Sequence, residues 1–299
     1  MSTAAKVALV TGANKGIGLA IVENLCTNHP KLHVLLGSRD AKLGDEALKK
    51  LQAKYSSVSM YLAGRIYVCR LQIDLNDEKS INSAAENVKK QYGGLDIFVN
   101  NAGMAWKGSA FNKEACETTL GTNYFGTLKV THFARHRQTC QAFLPLMREN
   151  GRVVNVSSMV SKSTLGYCVL DLREKFLADD LSVDQLNALM NKFIKDVDDG
   201  TYKKQGWWDC TYLKGWPESC YGTSKVGVTM LTRILARDNK TKGLLINSCC
   251  PGWVKTDMAG DKALLTPAQG AETPVHLAFL PADGPNGKFW QDCKVSSFV

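Results

Sequence analysis

No apolar stretch in this sequence approaches the ~20 residues that a membrane-spanning helix needs. Nor does it open like a secretory signal, because an apolar run, Val7-Ala8-Leu9-Val10, follows a short polar start with no basic region or cleavage site. Its ten cysteines, at 26, 69, 116, 140, 168, 210, 220, 249, 250 and 293, include no C-x2-C pair and no histidine at ligand spacing. A zinc centre and a disulfide framework are therefore not expected. Several of these cysteines fall inside apolar runs, where a free thiol behaves as a small buried hydrophobe. No internal repeat or low-complexity linker interrupts the chain. These absences predict a soluble protein of a reducing compartment, the cytoplasm, with no metal and no membrane partner.

What is present is an ordinary globular composition, 44% apolar and 22% charged over 299 residues, enough to bury a core without a staple. The net charge is +9, from 37 Lys and Arg against 28 Asp and Glu. These cations are spread along the chain. The one dense stretch, residues 132–137 (HFARHR), is too short for a nucleic-acid footprint. A solvated basic surface that also attracts an anionic cofactor is the simpler reading, and no nucleic-acid partner is expected.

Apolar strand-like runs at 6–11, 31–37, 65–73, 95–100, 152–157, 244–249 and 288–290 alternate with helical patterns. The helical segments are 16–28, 42–55, 78–92, a long one within 113–149, 219–238 and 268–280. Continuous apolar strands are those covered by helices on both faces. The alternation predicts an α/β fold, a doubly wound parallel sheet forming one domain over 1–299. Residues 161–217 break the rhythm. They hold one amphipathic helix, from Ser182 to Val197, and an aromatic loop, and insertions of this length are usually binding elements. The polar run 134–141 predicts a helix extended into solvent or a bulged loop.

After the first strand comes Thr11-Gly12-Ala13-Asn14-Lys15-Gly16-Ile17-Gly18, opening into a helix. Gly12 permits a tight turn, Gly16 lets the backbone approach a pyrophosphate, and Gly18 allows close packing of helix on strand. A glycine cluster alone is only a turn; its position between a strand and a helix makes it a Rossmann-like dinucleotide site. The second strand ends Gly37-Ser38-Arg39 with no acid at its tip, and Lys15 adds a cation, so NADP(H) is favoured over NAD(H). Asp40 falls where a helix N-cap belongs. Asp74, with Leu75 beside it, suits the adenine side of the cofactor, or Asp74 caps the next helix.

Four further features follow in order: Asn100-Asn101-Ala102-Gly103, then Asn123, then Ser157-Ser158, then Tyr221-Gly222-Thr223-Ser224-Lys225. Each falls at the C-terminal end of a strand or on the next helix, the edge at which open parallel sheets bind ligands.

With these motifs the chain resembles the short-chain dehydrogenase/reductase family over nearly its whole length, and within it the monomeric animal carbonyl reductases. The narrower likeness rests on Asn14-Lys15-Gly16-Ile17-Gly18-Leu19, Tyr92-Gly93-Gly94-Leu95-Asp96, Gly151-Arg152-Val153-Val154-Asn155-Val156-Ser157-Ser158 and Cys249-Cys250-Pro251-Gly252-Trp253-Val254-Lys255-Thr256-Asp257-Met258. The insertion before Tyr221 also belongs to it, and implies a monomer, since relatives without it pair two helices of this region with another subunit. The resemblance implies hydride transfer from NADPH to a small carbonyl substrate, with Tyr221 as proton donor. Lys225, with the positive charge of the oxidised nicotinamide, would lower the Tyr221 pKa, and it would bind the nicotinamide ribose; Ser158, the second of its pair, would stabilise the developing oxyanion. Asn123 would hold a water linking Lys225 to solvent. Asn14, Ile17, Asn101, Ala102, Gly103, Pro251, Gly252, Val254 and Thr256 would contact the cofactor, the last two fixing its carboxamide. Trp106, Met159 and Trp253 stand where the resemblance expects pocket walls, although a Trp is also at home in a core. Such an apolar, aromatic pocket suits quinones, aromatic ketones and aldehydes. The alternatives are a dehydrogenase of one alcohol, such as a steroid or prostaglandin, and a catalytically idle NADP-binding module. Three segments exceed the family pattern: 55–64, 134–141 and 207–216, the last with three Trp residues and Tyr212 that could reshape the pocket. Leu43, beside Lys42, stands where relatives carry a second basic residue.

Overall fold

Successive residues of a strand point to opposite faces, so a strand covered on both sides must be apolar throughout. In β1 (Val7–Val10) all four residues are buried, Val7 and Leu9 in one core cluster and Ala8 and Val10 in the other. A computed structural model describes residues 5–55, 67–131, 143–202 and 216–298.

β1 is followed by α1 (Gly16–Asn28), β2 (His33–Ser38), α2 (Ala41–Tyr55), β3 (Val68–Gln72), α3 (Glu78–Tyr92) and β4 (Leu95–Asn100). Then come α4 (Lys113–Leu120), a π-helical turn at Gly121–Gly126, α5 (Thr127–Thr131), β5 (Met147–Val156), α6 (Met159–Gly166), α7 (Leu170–Leu177) and α8 (Val183–Asp198). The chain ends with α9 (Cys220–Asp238), β6 (Leu245–Cys250), α10 (Pro267–Ala278), β7 (Phe289–Gln291) and β8 (Lys294–Val295). The strands form one sheet in the order β3-β2-β1-β4-β5-β6-β7-β8. All pairings are parallel except β7 with β8. After β1 the chain builds outward through β2 and β3, then crosses back to lay β4 on the other side of β1. That reversal opens a crevice at the C-terminal ends of β1 and β4, the usual ligand site of such sheets.

Helix boundaries follow local chemistry. Asp77 caps α3 by accepting from Lys79 N at 2.9 Å, and Gly93 ends it in the left-handed region. Reciprocal capping boxes open α8 (Ser182 with Gln185) and α10 (Thr266 with Gln269). Asp40 caps α2 through Leu43 N at 3.0 Å, as its position suggested. Asp74 does not cap α3; its Oδ1 accepts from Asn76 N at 2.9 Å in a tight turn just before the helix.

The long helix expected within 113–149 is corrected. It breaks at Leu120 into the π-helical turn and the short α5, and Met147–Glu149 belongs to β5. Met147 pairs with Leu95, the register shifts, and pairing resumes at Arg152 with Ile97. Between them Asn150 takes a positive φ of 56°, and Arg148 turns aside to bond Asp96 at 2.7 Å and the Tyr92 carbonyl at 2.6 Å. The polar Arg148-Glu149-Asn150 stretch hides a strand because it is the excursion of that strand.

Among its described residues the insertion holds three helices, α6, α7 and α8, where one was expected. Trp216 is not a pocket wall but core: it is 2% exposed, lies against Phe176 and Phe193, and donates from Nε1 to Asp196 Oδ2 at 2.8 Å. The same carboxylate accepts from Lys192 Nζ at 2.7 Å, so a buried charge is paired. Trp207, Trp208, Tyr212 and the extra segments in 56–64 and 134–141 lie outside the described residues, as does the basic run 132–137. β8 was not foreseen, being two exposed residues.

Candidate active site

The glycine loop is shaped by what surrounds it. Gly12 has φ +62°, and a Cβ there would lie 2.8 Å from the Ala102 backbone, so the loop and the end of β4 press together. At Gly18 a Cβ would stand 2.4 Å from the Gly12 carbonyl oxygen, which fixes α1 against the turn. Asn101 stitches the two strand ends, its Nδ2 donating to Thr11 O at 3.0 Å and Gly12 O at 3.2 Å. Thr11 Oγ1 accepts the backbone N–H of both Asn101 and Ala102 at 3.1 Å. Thr11 escaped the sequence reading, although it immediately precedes the first glycine.

No side chain caps α1, whose N-cap is Lys15, and no acid lies in its first turn. Its free N–H groups and dipole form an anion site at the crevice, walled by positive-φ glycines, and these residues fit a dinucleotide pyrophosphate. Arg39 is exposed at the end of β2. Lys15 is occupied otherwise: its Nζ pairs with Asp257 Oδ2 at 2.6 Å, beyond β6. Thr256, beside Asp257, packs its methyl where a Cβ on Gly16 would approach to 3.3 Å. The Gly16 loop and the 254–257 segment therefore meet across the crevice. Val254 is buried and held by a bridge to Leu265, and Pro251 and Gly252, at φ +84°, turn the chain out of β6. Leu75 is buried against Gly126, away from solvent, with Asp74 next to it in the turn after β3.

The two serines after β5 differ sharply. Ser157 is buried and its Oγ bonds Thr229 Oγ1 at 2.7 Å and the Lys225 carbonyl at 3.1 Å. Ser158 caps α6 through Val160 N at 3.2 Å, and its hydroxyl acts to lower the pKa of the Tyr221 phenol. Tyr221 and Lys225 are one turn apart on α9, whose N-cap is Ser219. The Lys225 ammonium lies 5.7 Å from the centre of the Tyr221 ring and donates to Val156 O at 2.7 Å.

Burial governs both ionisations. It pushes the Tyr221 phenol up to about 12, against a lowering by the Ser158 hydrogen bond. It pushes Lys225 down to about 8, with nearby Cys249 and Cys250 acting in the opposite sense.

Asn123 sits in the π-helical turn. Its Nδ2 donates to Met104 O at 2.8 Å and Ser224 Oγ at 2.9 Å, and its Oδ1 accepts from Met104 N at 2.8 Å. Both amide protons are used, so the side chain ties the end of β4 to α9 rather than touching Lys225. Gly103 threads between them, since a Cβ there would lie 3.2 Å from Asn123 Oδ1 and 3.4 Å from Lys225 Nζ. Ser224 completes the tie by donating to Tyr221 O at 2.7 Å. It lies inside the Tyr-Gly-Thr-Ser-Lys motif but was read only as a spacer.

Of the expected pocket walls, Trp253 is 53% exposed and Met159 51% exposed, while Trp106 is half-buried against the core. Trp253 is therefore not core packing.

A short chain dehydrogenase family model matches residues 6–168 and 213–264. The mouse protein carbonyl reductase (NADPH) 1 is 45% identical over 304 residues, covering 99% of each chain. Its human counterpart is 43% identical over 307 residues, covering 100% of both. Among solved structures, salutaridine reductase from Papaver somniferum is similar with a TM-score of 0.78, 30% identity and coverage of 96% of this chain and 100% of that one. The NADPH-bound carbonyl reductase from chicken fatty liver shares the fold, with a TM-score of 0.64 at 23% identity and 98% and 99% coverage. A match through both halves of the sheet, and likeness from end to end, leave no part of the crevice outside the relationship: this chain belongs to the short chain dehydrogenase family.

Proposed function

We propose that this chain is an NADP-dependent oxidoreductase that uses NADPH to reduce the carbonyl group of small molecules to an alcohol. The full-length likeness to carbonyl reductases supports the reaction and the cofactor. The observation that carries the chemistry is the convergence on the Tyr221 phenol of Ser158, whose hydroxyl acts to lower its pKa, and Lys225, whose ammonium lies 5.7 Å from the ring centre.

The cofactor, when bound, supplies the hydride. The N-terminus of α1 and the glycine loop, with Asn14, Gly16 and Ile17, would hold its phosphates. Arg39 would pair with the 2′-phosphate of the ribose, at a strand tip that carries no carboxylate to favour the unphosphorylated form. Asp74 and Leu75 would bound the adenine side, while Asn101, Ala102, Gly103, Pro251, Gly252, Val254 and Thr256 would line the nicotinamide side. Ser158 and Tyr221 converge on the substrate oxygen. As charge develops there, Ser158 donates a hydrogen bond and Tyr221 transfers its proton. Lys225 is charged at neutral pH, steadies the phenolate that remains and binds the ribose hydroxyls. Asn123 keeps Met104 and α9 in register so that these groups stay aligned.

Exposed Trp253 and Met159 and half-buried Trp106 favour flat apolar substrates such as quinones, aromatic ketones and aldehydes. One domain carries the whole activity, and the chain acts as a monomer in the cytoplasm. Packing of the chain's own α4 and α8 on α9 supports the monomer, because it covers that helix from within.

The test is NADPH consumption by purified protein with a panel of quinones and aromatic ketones, beside Tyr221→Phe. Turnover that vanishes in the variant, with NADPH affinity kept, is expected. Folded protein that binds NADPH and consumes none of the panel sinks the reading. Sedimentation of the active enzyme at dimer mass would sink the monomer.

A further inference from the structure

The insertion reaches the reacting groups through one buried ring. Tyr124 follows Asn123 in the π-helical turn and is fully buried. Its ring stands edge-on to Phe125, with ring centres 4.9 Å apart, and fills a slot on α9 at Gly227. A Cβ on Gly227 would lie 2.6 Å from Tyr124 Cδ2 and 2.9 Å from Met190 Sδ, so the ring, α9 and α8 meet where α9 carries no side chain. The Tyr124 phenol donates to Asn187 Oδ1 of α8 at 2.8 Å. Asn187 is half-buried and lies 63 residues further along the chain. α8 is itself fixed at its other end, where Asp198 Oδ2 accepts from Lys113 Nζ, at the start of α4, at 2.8 Å.

We propose that Asn187 and Tyr124 are positioning residues for carbonyl reduction, through which the insertion holds the π-helical turn in its working shape. The assignment rests on the reductase activity proposed above. π-helical spacing is rare and occurs mostly as single turns within α-helices, so such a turn needs outside support. Here the support is the ring in its slot and the bond that pins its far end to α8. A buried phenol without that bond would carry the cost of an unsatisfied donor, which favours a shift of the whole turn.

The turn delivers that support to the proton donor. Asn123 Oδ1 accepts from Met104 N at 2.8 Å and its Nδ2 donates to Ser224 Oγ at 2.9 Å. Ser224 Oγ in turn donates to the Tyr221 carbonyl at 2.7 Å. The path from α8 therefore runs through Asn187, Tyr124, Asn123 and Ser224 to Tyr221. With its first bond cut, the turn relaxes towards α-helical spacing and draws Asn123 off Met104 and Ser224. Both residues act through Asn123, so their loss falls on alignment of the reacting groups and lowers kcat rather than cofactor affinity.

Full-length Tyr124→Phe, Asn187→Leu and Asn187→Asp are compared with the wild type. Phe keeps the ring in its slot and loses only the O–H, while Asp keeps an acceptor oxygen for the phenol. Two quantities are read: kcat and KM with NADPH and a quinone, per NADPH-binding site, and hydrogen exchange at the Met104 amide that Asn123 accepts. In Tyr124→Phe and Asn187→Leu kcat should fall about tenfold, with KM for NADPH within about twofold of the wild type. Exchange at Met104 should quicken about fivefold or more in the same two variants. Asn187→Asp should restore both. Unchanged kcat in the Phe and Leu variants, whatever their stability to denaturant, overturns the proposal, as does unchanged Met104 exchange. Asn187→Asp behaving like Asn187→Leu also overturns it. Met104 exchange is read without turnover, so it decides the positioning even where no carbonyl compound is consumed, a result that sinks the reductase reading alone.

Discussion

The Ser157 hydroxyl is bonded to Thr229 Oγ1 at 2.7 Å and donates to the Lys225 carbonyl at 3.1 Å, while the neighbouring Ser158 turns to the other face, where its hydroxyl acts to lower the Tyr221 pKa. Adjacent serines thus separate an exposed reacting position from a buried structural one. Ser158→Ala should lower kcat by ~100-fold or more, the cost of one oxyanion donor. Ser157→Ala should instead cost about 1–3 kcal/mol of stability and spare most of the rate. Steady-state kinetics and urea unfolding of the pair distinguish the roles. Equal loss of kcat in both would remove the distinction.

Lys225 holds a charge that folding disfavours. Its value falls from 10.5 to about 8 on burial, so the unfolded chain binds this proton more tightly than the folded one. Below pH 8 the charge therefore weighs against the fold, and the penalty is relieved as pH rises from about 8 towards 10.5. Lys225→Met removes the penalty but also the bond to Val156 O, leaving a net gain of about 1–2 kcal/mol at pH 7. It should lose ~100-fold or more in kcat. Wild-type reduction should decline above about pH 8 as Lys225 loses its proton. Thermal unfolding at pH 7 and pH 10 with a kcat profile tests this, and a less stable Met variant at pH 7 contradicts it.

Arg39 and Lys15 differ in availability. Arg39 is exposed without an acid at the tip of β2, whereas Lys15 is paired with Asp257 at 2.6 Å. That ion pair is 66% and 72% exposed at its two ends, so solvent screens it and it yields readily to a bound phosphate. Arg39→Ala should raise KM for NADPH by ~10–100-fold and leave NADH nearly unchanged. Asp257→Asn should tighten NADPH by less than ~5-fold, with less effect in high salt. Comparable NADPH and NADH efficiencies in the wild type would count against the Arg39 assignment.

Trp216 is a stability residue near the site in sequence and distant in role. Trp216→Phe keeps packing against Phe176 and Phe193 but removes the Nε1 donor from Asp196, costing about 1–3 kcal/mol. Trp216→Ala should cost ~3–5 kcal/mol. Neither should alter kcat per folded molecule, measured beside a denaturant titration. A tenfold kcat loss in the Phe variant would return Trp216 to the pocket.

Much of this was legible from local signals. β4, α1 and α3 match their expected limits residue for residue, because each is bounded by a turn, cap or glycine that acts locally. The glycine loop, Ser158, Tyr221 and Lys225 stood out because their spacing and their positions at strand ends carry the chemistry. The break of the 113–149 segment was not legible: the π-helical turn exists to bring Asn123 to Met104 and Ser224, which are 19 residues behind and 101 ahead. Trp216 was misread for a similar reason, since Asp196 is what draws an indole N–H into the core. The direction of the Tyr221 shift also needed depth of burial, which residue order does not contain.

The strand order has a consequence for biosynthesis. β1 is the first strand made, yet it lies inside the sheet, between β2 and β4. Its second edge stays open on the ribosome until Leu95–Asn100 emerges, and the pairing of β5 waits for Leu245–Cys250. The nucleotide half can thus close early, whereas α9, with Tyr221 and Lys225, docks only near the end of synthesis. Nascent chains halted before β6 should expose apolar strand edges, making the second half the part that depends on chaperones.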